Sequence, residues 1–263
     1  MPTPSAIEIH QIRITKAQMA GLAANERGLM ILAGHTLNVI GVWHRLAKMS
    51  SNKTPDNEIE SSISESQTHI LLRSLYGSLA EAWKWIKKNS QIIKNEYVPR
   101  MSGQGVAAYE FLCQHLDEPG ILHKIRNKFA YHYPQPTLLE TSFDSVPEDE
   151  DWSWYMASDL CNSFWVSSEL VMGYGTMGLT GMTDPVKGFR AIAEEFFCVS
   201  DQLQDFLKAL LHAMLVRHFP DLAHTPVVHT VENAPSGREF WIPFYTDTRQ
   251  DKEFAASFQD GVG

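Results

Sequence analysis

Cysteine is scarce in this 263-residue chain: Cys113, Cys161 and Cys198 stand far apart, with no CxxC pair and an odd total. That excludes a disulfide framework and fits a reducing, cytoplasmic setting. No apolar run reaches the ~20 residues that a membrane span needs. The nearest, GLMILAGHTLNVIGVW at 28–43, carries His35, Thr36 and Asn38 and reads as a buried bundle helix. The opening MPTPSAIEIHQIRIT has no basic start followed by an apolar core, so neither a signal peptide nor a membrane association is expected. An excess of positive charge is also missing, since 22 basic residues against 31 acidic ones leave a net charge of -9. A protein that coats nucleic acid indiscriminately would be basic, so any RNA contact here has to be local. The glycine-broken GYGTMGLTG (173–181) lacks the GK[ST] of a phosphate loop and follows no strand; it reads as a flexible connector.

What the chain does have is helical periodicity. Thr15 and Gln18 have capping-box spacing. Beyond them Leu22, Leu29, Ala33, Leu37, Ile40 and Ala47 recur on one face. Glu26 falls inside that stripe, where a carboxylate needs a partner. A second helix is expected over about 66–94, with Leu72, Leu75, Leu79, Trp83 and Ile86 on its apolar face, and a third begins near Gly105. Residues 135–151 read as a loop and 152–174 as a fourth helix. Asp184-Pro185 supplies an N-cap and a first-turn proline. From there Phe189, Ile192, Phe196, Val199, Leu203, Phe206 and Leu210 alternate at three and four residues up to about His218. Such a heptad is a bundle spine or a dimer seam. Past Pro220, PVVHTV and REFWIPFYT flank the turn signal ENAPSG, which predicts a small C-terminal β-hairpin, with IEIHQIRI near the start as a further strand. Pro243 restricts its strand to an edge. The expected architecture is all-α: a bundle of about five helices over 15–220, with an extension at 221–263 that is a β-hairpin or irregular.

The stretch ILHKIRNKFAYHYP (121–134) concentrates the chemistry. Lys124, Arg126 and Lys128 make a local charge of +3 with no acid between 121 and 132. Pro134 ends the helix it predicts. On an α-helix Ile121, Leu122, Ile125 and Phe129 share one face, and Arg126 and His132 flank it about 120° apart. The planar guanidinium of an arginine suits a phosphate, and a histidine moves protons near neutral pH without a metal. Together they form a minimal kit for cleaving RNA through its own 2′-hydroxyl.

The run RNKFAYH resembles the signature of the HEPN superfamily: Arg, a polar residue often Asn, then His after four to six intervening positions, near the end of a late bundle helix. The resemblance covers this motif and the general helical pattern of 15–220. It implies an all-α, homodimeric, metal-independent endoribonuclease of a defence or toxin–antitoxin system, with no cofactor. Arg126, Asn127 and His132 are the matching positions: phosphate clamp, orienting residue and proton-transfer group. Pairing two copies across a dimer axis would bring two motifs into one cleft. Several toxin members carry a tyrosine two residues after the histidine; here Tyr133 follows immediately and Pro134 takes that place. Many relatives are inactive and only bind or dimerise, so the alternative is a catalytically inactive HEPN-like binding or dimerisation module.

Blander roles stand beside these. Glu26 could pair with Arg126 and steady it as a neighbour of the site. Lys124 and Lys128 contact RNA in the enzymatic reading and form a solvated edge otherwise. His69 and Arg73, one turn apart, either face the same cleft or are surface neighbours. His212 and His218 lack the carboxylate company of a metal site, and no metal is expected. RNA, an antitoxin or another protein partner all stay open, and the net charge of -9 leaves room for a basic partner that lets the protein approach RNA.

Overall fold

The computed structural model describes residues 5–117, 121–130, 134–150, 152–157, 162–182 and 184–245, with the backbone alone for Ser5, Ile121, Leu122, Arg126, Pro185 and Val186. Strand β1 (Ser5–Gln11) is followed by α1 (Lys16–Ala20) and α2 (Ala24–Ser50). The Thr15 capping box forms as expected, with the hydroxyl accepting from Gln18 N. The expected single helix is broken, however, at residues 21–23. Gly21 caps α1 by donating back to Ala17 and Gln18, and the chain restarts without a side-chain cap.

Next come α3 (Glu58–Lys88), the short α4 (Ser90–Ile92), a π-helical turn Ile93–Tyr97 and a 3-10 turn Val98–Arg100. The second helix thus starts eight residues earlier than its apolar stripe predicts. Asn57, whose side chain accepts from Glu60 N, marks that start. Helix α5 (Gly103–Leu116) leads to α6 (Ile121–Ile125), which runs directly into a second π-helical turn, Arg126–Ala130.

Residues 136–144, expected as loop, form α7 (Pro136–Asp144), with proline in its first turn. The expected fourth helix is replaced at its start by β2 (Trp154–Tyr155) and β3 (Phe164–Trp165), paired antiparallel, and the helix proper is α8 (Val166–Gly178). Tandem aromatic residues suit this short ladder better than a helical turn. The supposed glycine connector lies largely inside α8. A Cβ on Gly173 would stand 2.8 Å from the His69 ring, and one on Gly175 would stand 2.7 Å from Phe129 Cζ. These glycines let α8 approach its neighbours closely; they do not loosen the chain.

Helix α9 (Pro185–His218) is capped by the Asp184 side chain and ends before α10 (Pro220–His224). It is the spine of the bundle, packed on α2, α3, α5 and α8. Phe196, Val199, Leu203, Phe206 and Leu210 are all but fully buried. They meet Ile40 of α2, Leu75 and Leu79 of α3 and Leu112 of α5 in one continuous core. Each buried aromatic or leucine contributes about 1.5–3 kcal/mol by leaving water. No helix among the described residues is long and apolar enough to cross a membrane.

Strand β4 (Val227–Ala234) pairs antiparallel with β1, matching Ile7 to Val231 and Ile9 to His229. The expected C-terminal hairpin does not form among the described residues. Pro235 and Pro243 cannot donate to a ladder, whereas β1 offers β-branched partners. The segment after β4 makes a 3-10 turn, Gly237–Glu239, and lies against the α2–α3 connection. There the Asn52 amide donates to Gly237 O (2.8 Å) and Phe240 O (2.6 Å), and Lys53 Nζ sits 5.2 Å from the Phe244 ring centre. A bulge interrupts the β1–β4 ladder near Ser5, opposite Asn233 at φ 57°, a conformation asparagine tolerates.

Candidate functional site

The basic strip is seated by two buried side chains. Ile125 ends α6 and Phe129 lies in the π-helical turn, at 0% and 2% exposure. The turn packs on α3, and the Phe129 ring reaches Gly175 of α8. With those anchors inward, His123, Lys124, Asn127 and Lys128 are exposed. The Asn127 amide nitrogen lies 2.8 Å from His123 Nε2, one turn earlier. The i,i+4 spacing of His123 and Asn127 is the sequence signal for this contact, one that the Arg-Asn-His motif does not include.

Arg126 opens the π-helical turn, but its side chain lies outside the described residues, as does all of His132. The angle of about 120° between them assumed an unbroken α-helix. Across residues 126–130 the backbone bonds instead span five residues, which changes the angular step. π-Helical turns occur preferentially at functional sites.

Glu26 is engaged elsewhere. Its Oε1 accepts from Tyr97 Oη at 2.7 Å and lies 3.3 Å from His218 Nε2 and 3.5 Å from Arg217 Nη1. Arg217 also donates to Glu96 Oε2 at 2.8 Å. The π-helical turn Ile93–Tyr97 and the end of α9 supply these partners, so the carboxylate that needed company has it without Arg126. The hydrogen bond from Tyr97 chiefly holds the Glu26 carboxyl below its ordinary range, helped by His218 and Arg217 against the opposing effect of burial. Burial and the adjacent carboxylate push the Tyr97 phenol far upward. This tyrosine stays protonated and donating, which makes the cluster a tie between α2, α9 and the turn. Beside it opens a cavity of about 530 Å³, lined in part by Asn25, Asn89, Gln91 and Asn95.

A serine, a histidine and an aspartate also meet. His44 Nδ1 is 2.9 Å from Ser200 Oγ, and His44 Nε2 is 3.7 Å from Asp201 Oδ1. The residue types are those of a nucleophilic triad, but Ser200 is 0% exposed in the α2–α9 interface. Its Oγ also accepts from Gln204 at 3.3 Å. A substrate has no approach to that hydroxyl, and the group is a polar tie inside the bundle. Burial and the neighbouring Lys48 lower the His44 pKa, so the imidazole is held neutral there.

His69 and Arg73 do not act as a pair. Arg73 Nη2 bonds Glu169 Oε2 of α8 at 2.5 Å, while the His69 ring packs on Phe189 with centroids 4.4 Å apart. His218 belongs to the Glu26 cluster, and no group of three or more His, Cys, Asp or Glu among the described residues is placed to hold a metal ion.

Comparison of the chain with protein-family models, with curated proteins and with solved structures gives no match.

Proposed function

We propose that the chain is a HEPN-like, metal-independent endoribonuclease of a defence or toxin–antitoxin system, a five-helix bundle at heart that works as a homodimer in the cytoplasm. The observation that carries this reading is the basic strip. It runs from α6 into a π-helical turn, is pinned from below by Ile125 and Phe129, and presents Lys124, Asn127 and Lys128 outward on a chain of net charge -9. In the proposed reaction the RNA 2′-oxygen attacks the adjacent phosphorus and the P–O5′ bond breaks. His132 manages the protons, Arg126 stabilises the charge building on the phosphoryl oxygens, and Asn127 orients it. The products are a 2′,3′-cyclic phosphate and a 5′-hydroxyl. Lys124 and Lys128 attract the backbone on either side.

The test is cleavage of a labelled RNA pool in EDTA by the parent protein, His132→Ala and Arg126→Ala. The parent is expected to leave cyclic-phosphate ends. Each variant should lose about 10²-fold or more, the usual share of a proton-transferring or charge-stabilising side chain. Cleavage by all three alike would place the chemistry elsewhere. RNA retention without cleavage would favour the inactive binding module.

A further inference from the structure

Between α3, α8, the start of α9 and the turn at 147–150 lies a cavity of about 300 Å³, lined by Glu65, His69, Glu150, Leu170, Gly173, Tyr174, Met177 and Phe189. That is the lower end of the size range of small-molecule sites. Its floor is apolar: Met177 is 8% exposed, and Leu170 and Phe189 are half-buried.

Two carboxylates face this space, and neither has a lysine, arginine or histidine within ion-pair distance among the described residues. Glu65 has the Ser61 hydroxyl, at 3.4 Å. Glu150 accepts from Tyr174 Oη at 2.5 Å. Displacement of water by the surrounding protein, and then the like charge of Glu150, push the Glu65 carboxyl above its usual range. Arg73, the nearest guanidinium along α3, is taken by Glu169.

The third polar group is His69, one turn after Glu65. Phe189 on one side and the bare Cα of Gly173 on the other hold its ring. Neither ring nitrogen has a hydrogen-bond partner among the described residues. Burial, with Arg73 adding to it, lowers its pKa to about 4. At neutral pH the ring is therefore uncharged and keeps one nitrogen as an acceptor. Two carboxylates and a neutral imidazole thus line one cavity over an apolar floor.

We propose that this cavity binds a small primary ammonium compound. Its three N–H groups donate to Glu65, Glu150 and His69, and its short hydrocarbon body lies on Leu170, Met177 and Phe189. An ammonium has three donors and no acceptor, which matches this set. Magnesium is held elsewhere by one or two carboxylates and several waters, which makes it the contrasting probe for the same pair.

The experiment is isothermal titration of the full chain with n-butylammonium chloride, with n-butanol and with magnesium chloride, repeated on Glu65→Gln and Glu150→Gln. Both substitutions keep the side-chain volume and lie at exposed or half-buried positions, and circular dichroism checks that each variant is folded. Butylammonium is expected to bind, and each substitution to weaken it about tenfold, as removal of one charge-assisted hydrogen bond does. Butanol should not bind measurably. Affinity for butylammonium weaker than about 1 mM, equal affinity for butanol, or equal affinity in the variants would overturn the proposal. Magnesium binding that both variants abolish would replace it with a metal site.

Discussion

Two carboxylates on neighbouring helices meet opposite fates. Glu26 of α2 is surrounded by a phenol, an imidazole and a guanidinium, all within 3.5 Å, and its pKa falls. Glu65 of α3 faces a second carboxylate across a cavity, and its pKa rises. The first arrangement is complete within the chain and stabilises it. The second sets like charges beside an apolar floor, which costs free energy at neutral pH and is eased by protonation of Glu65 or by a bound cation. A satisfied polar cluster therefore reads as architecture, and an unsatisfied one beside open space reads as a site.

The largest expected effect comes from breaking the first cluster. Glu26→Ala leaves Tyr97, Arg217 and His218 without their shared acceptor and should lower the unfolding free energy by about 2–4 kcal/mol in urea titrations. Glu65→Ala should stay within about 0.5 kcal/mol of the parent. Equal losses would erase the contrast. Gly173→Ala should follow, at about 1–3 kcal/mol, because its new methyl meets the His69 ring at 2.8 Å. It should also displace His69 and raise its pKa by NMR, while the Glu26 cluster keeps its own titration. Tyr97→Phe is smaller, about 1–1.5 kcal/mol, since Arg217 and His218 still attend the carboxylate.

The subtlest comparison is with pH. Glu26, lowered from 4.5, contributes stability that is fully present above that value and lost as pH falls through its folded pKa. Glu65, raised from 4.5, does the reverse: its contribution is present below 4.5 and lost as pH rises through its folded pKa. Glu26→Gln should therefore flatten the acid limb of the stability curve, and Glu65→Gln the region just above it. His69 stays neutral in the folded protein down to about 4 against an ordinary 6.5. Its contribution is full above 6.5 and drains away as pH falls towards 4, and its ring proton resonances should titrate near the lower value.

The long helices were legible because their apolar residues recur at helical spacing. The α9 stripe from Ile192 to Leu210 is buried where the periodicity places it, and the Thr15 and Asp184 caps form. The glycines of α8 misled because glycine ordinarily marks a break, and only the three-dimensional approach of His69 and Phe129 shows why a helix keeps them. The apolar face of α7 is short and set among polar residues, so 135–151 has the sequence pattern of a loop. The partners of Glu26 were hidden for another reason. Tyr97 and His218 lie 71 and 192 residues away in the chain, a separation that no local pattern reports. Of the basic strip, the anchoring face of Ile125 and Phe129 was readable, while the π-helical turn was not, since nothing in RNKFA distinguishes it from an α-helical one.

The β1–β4 ribbon has a further consequence. Its strands are far apart in the chain, both are exposed along nearly their whole length, and Ile7, Ile9 and Val231 remain 39–49% exposed. Two strands without a buried face hold together weakly. What keeps them paired is the effective concentration that the folded bundle imposes on their ends. The ribbon is therefore a passive gauge of the bundle: once the helices part, the strands are diluted by the long tether and their amides exchange. Deuterium uptake along β1 and β4 would then follow every opening that separates α1 from α10, at positions that are otherwise silent.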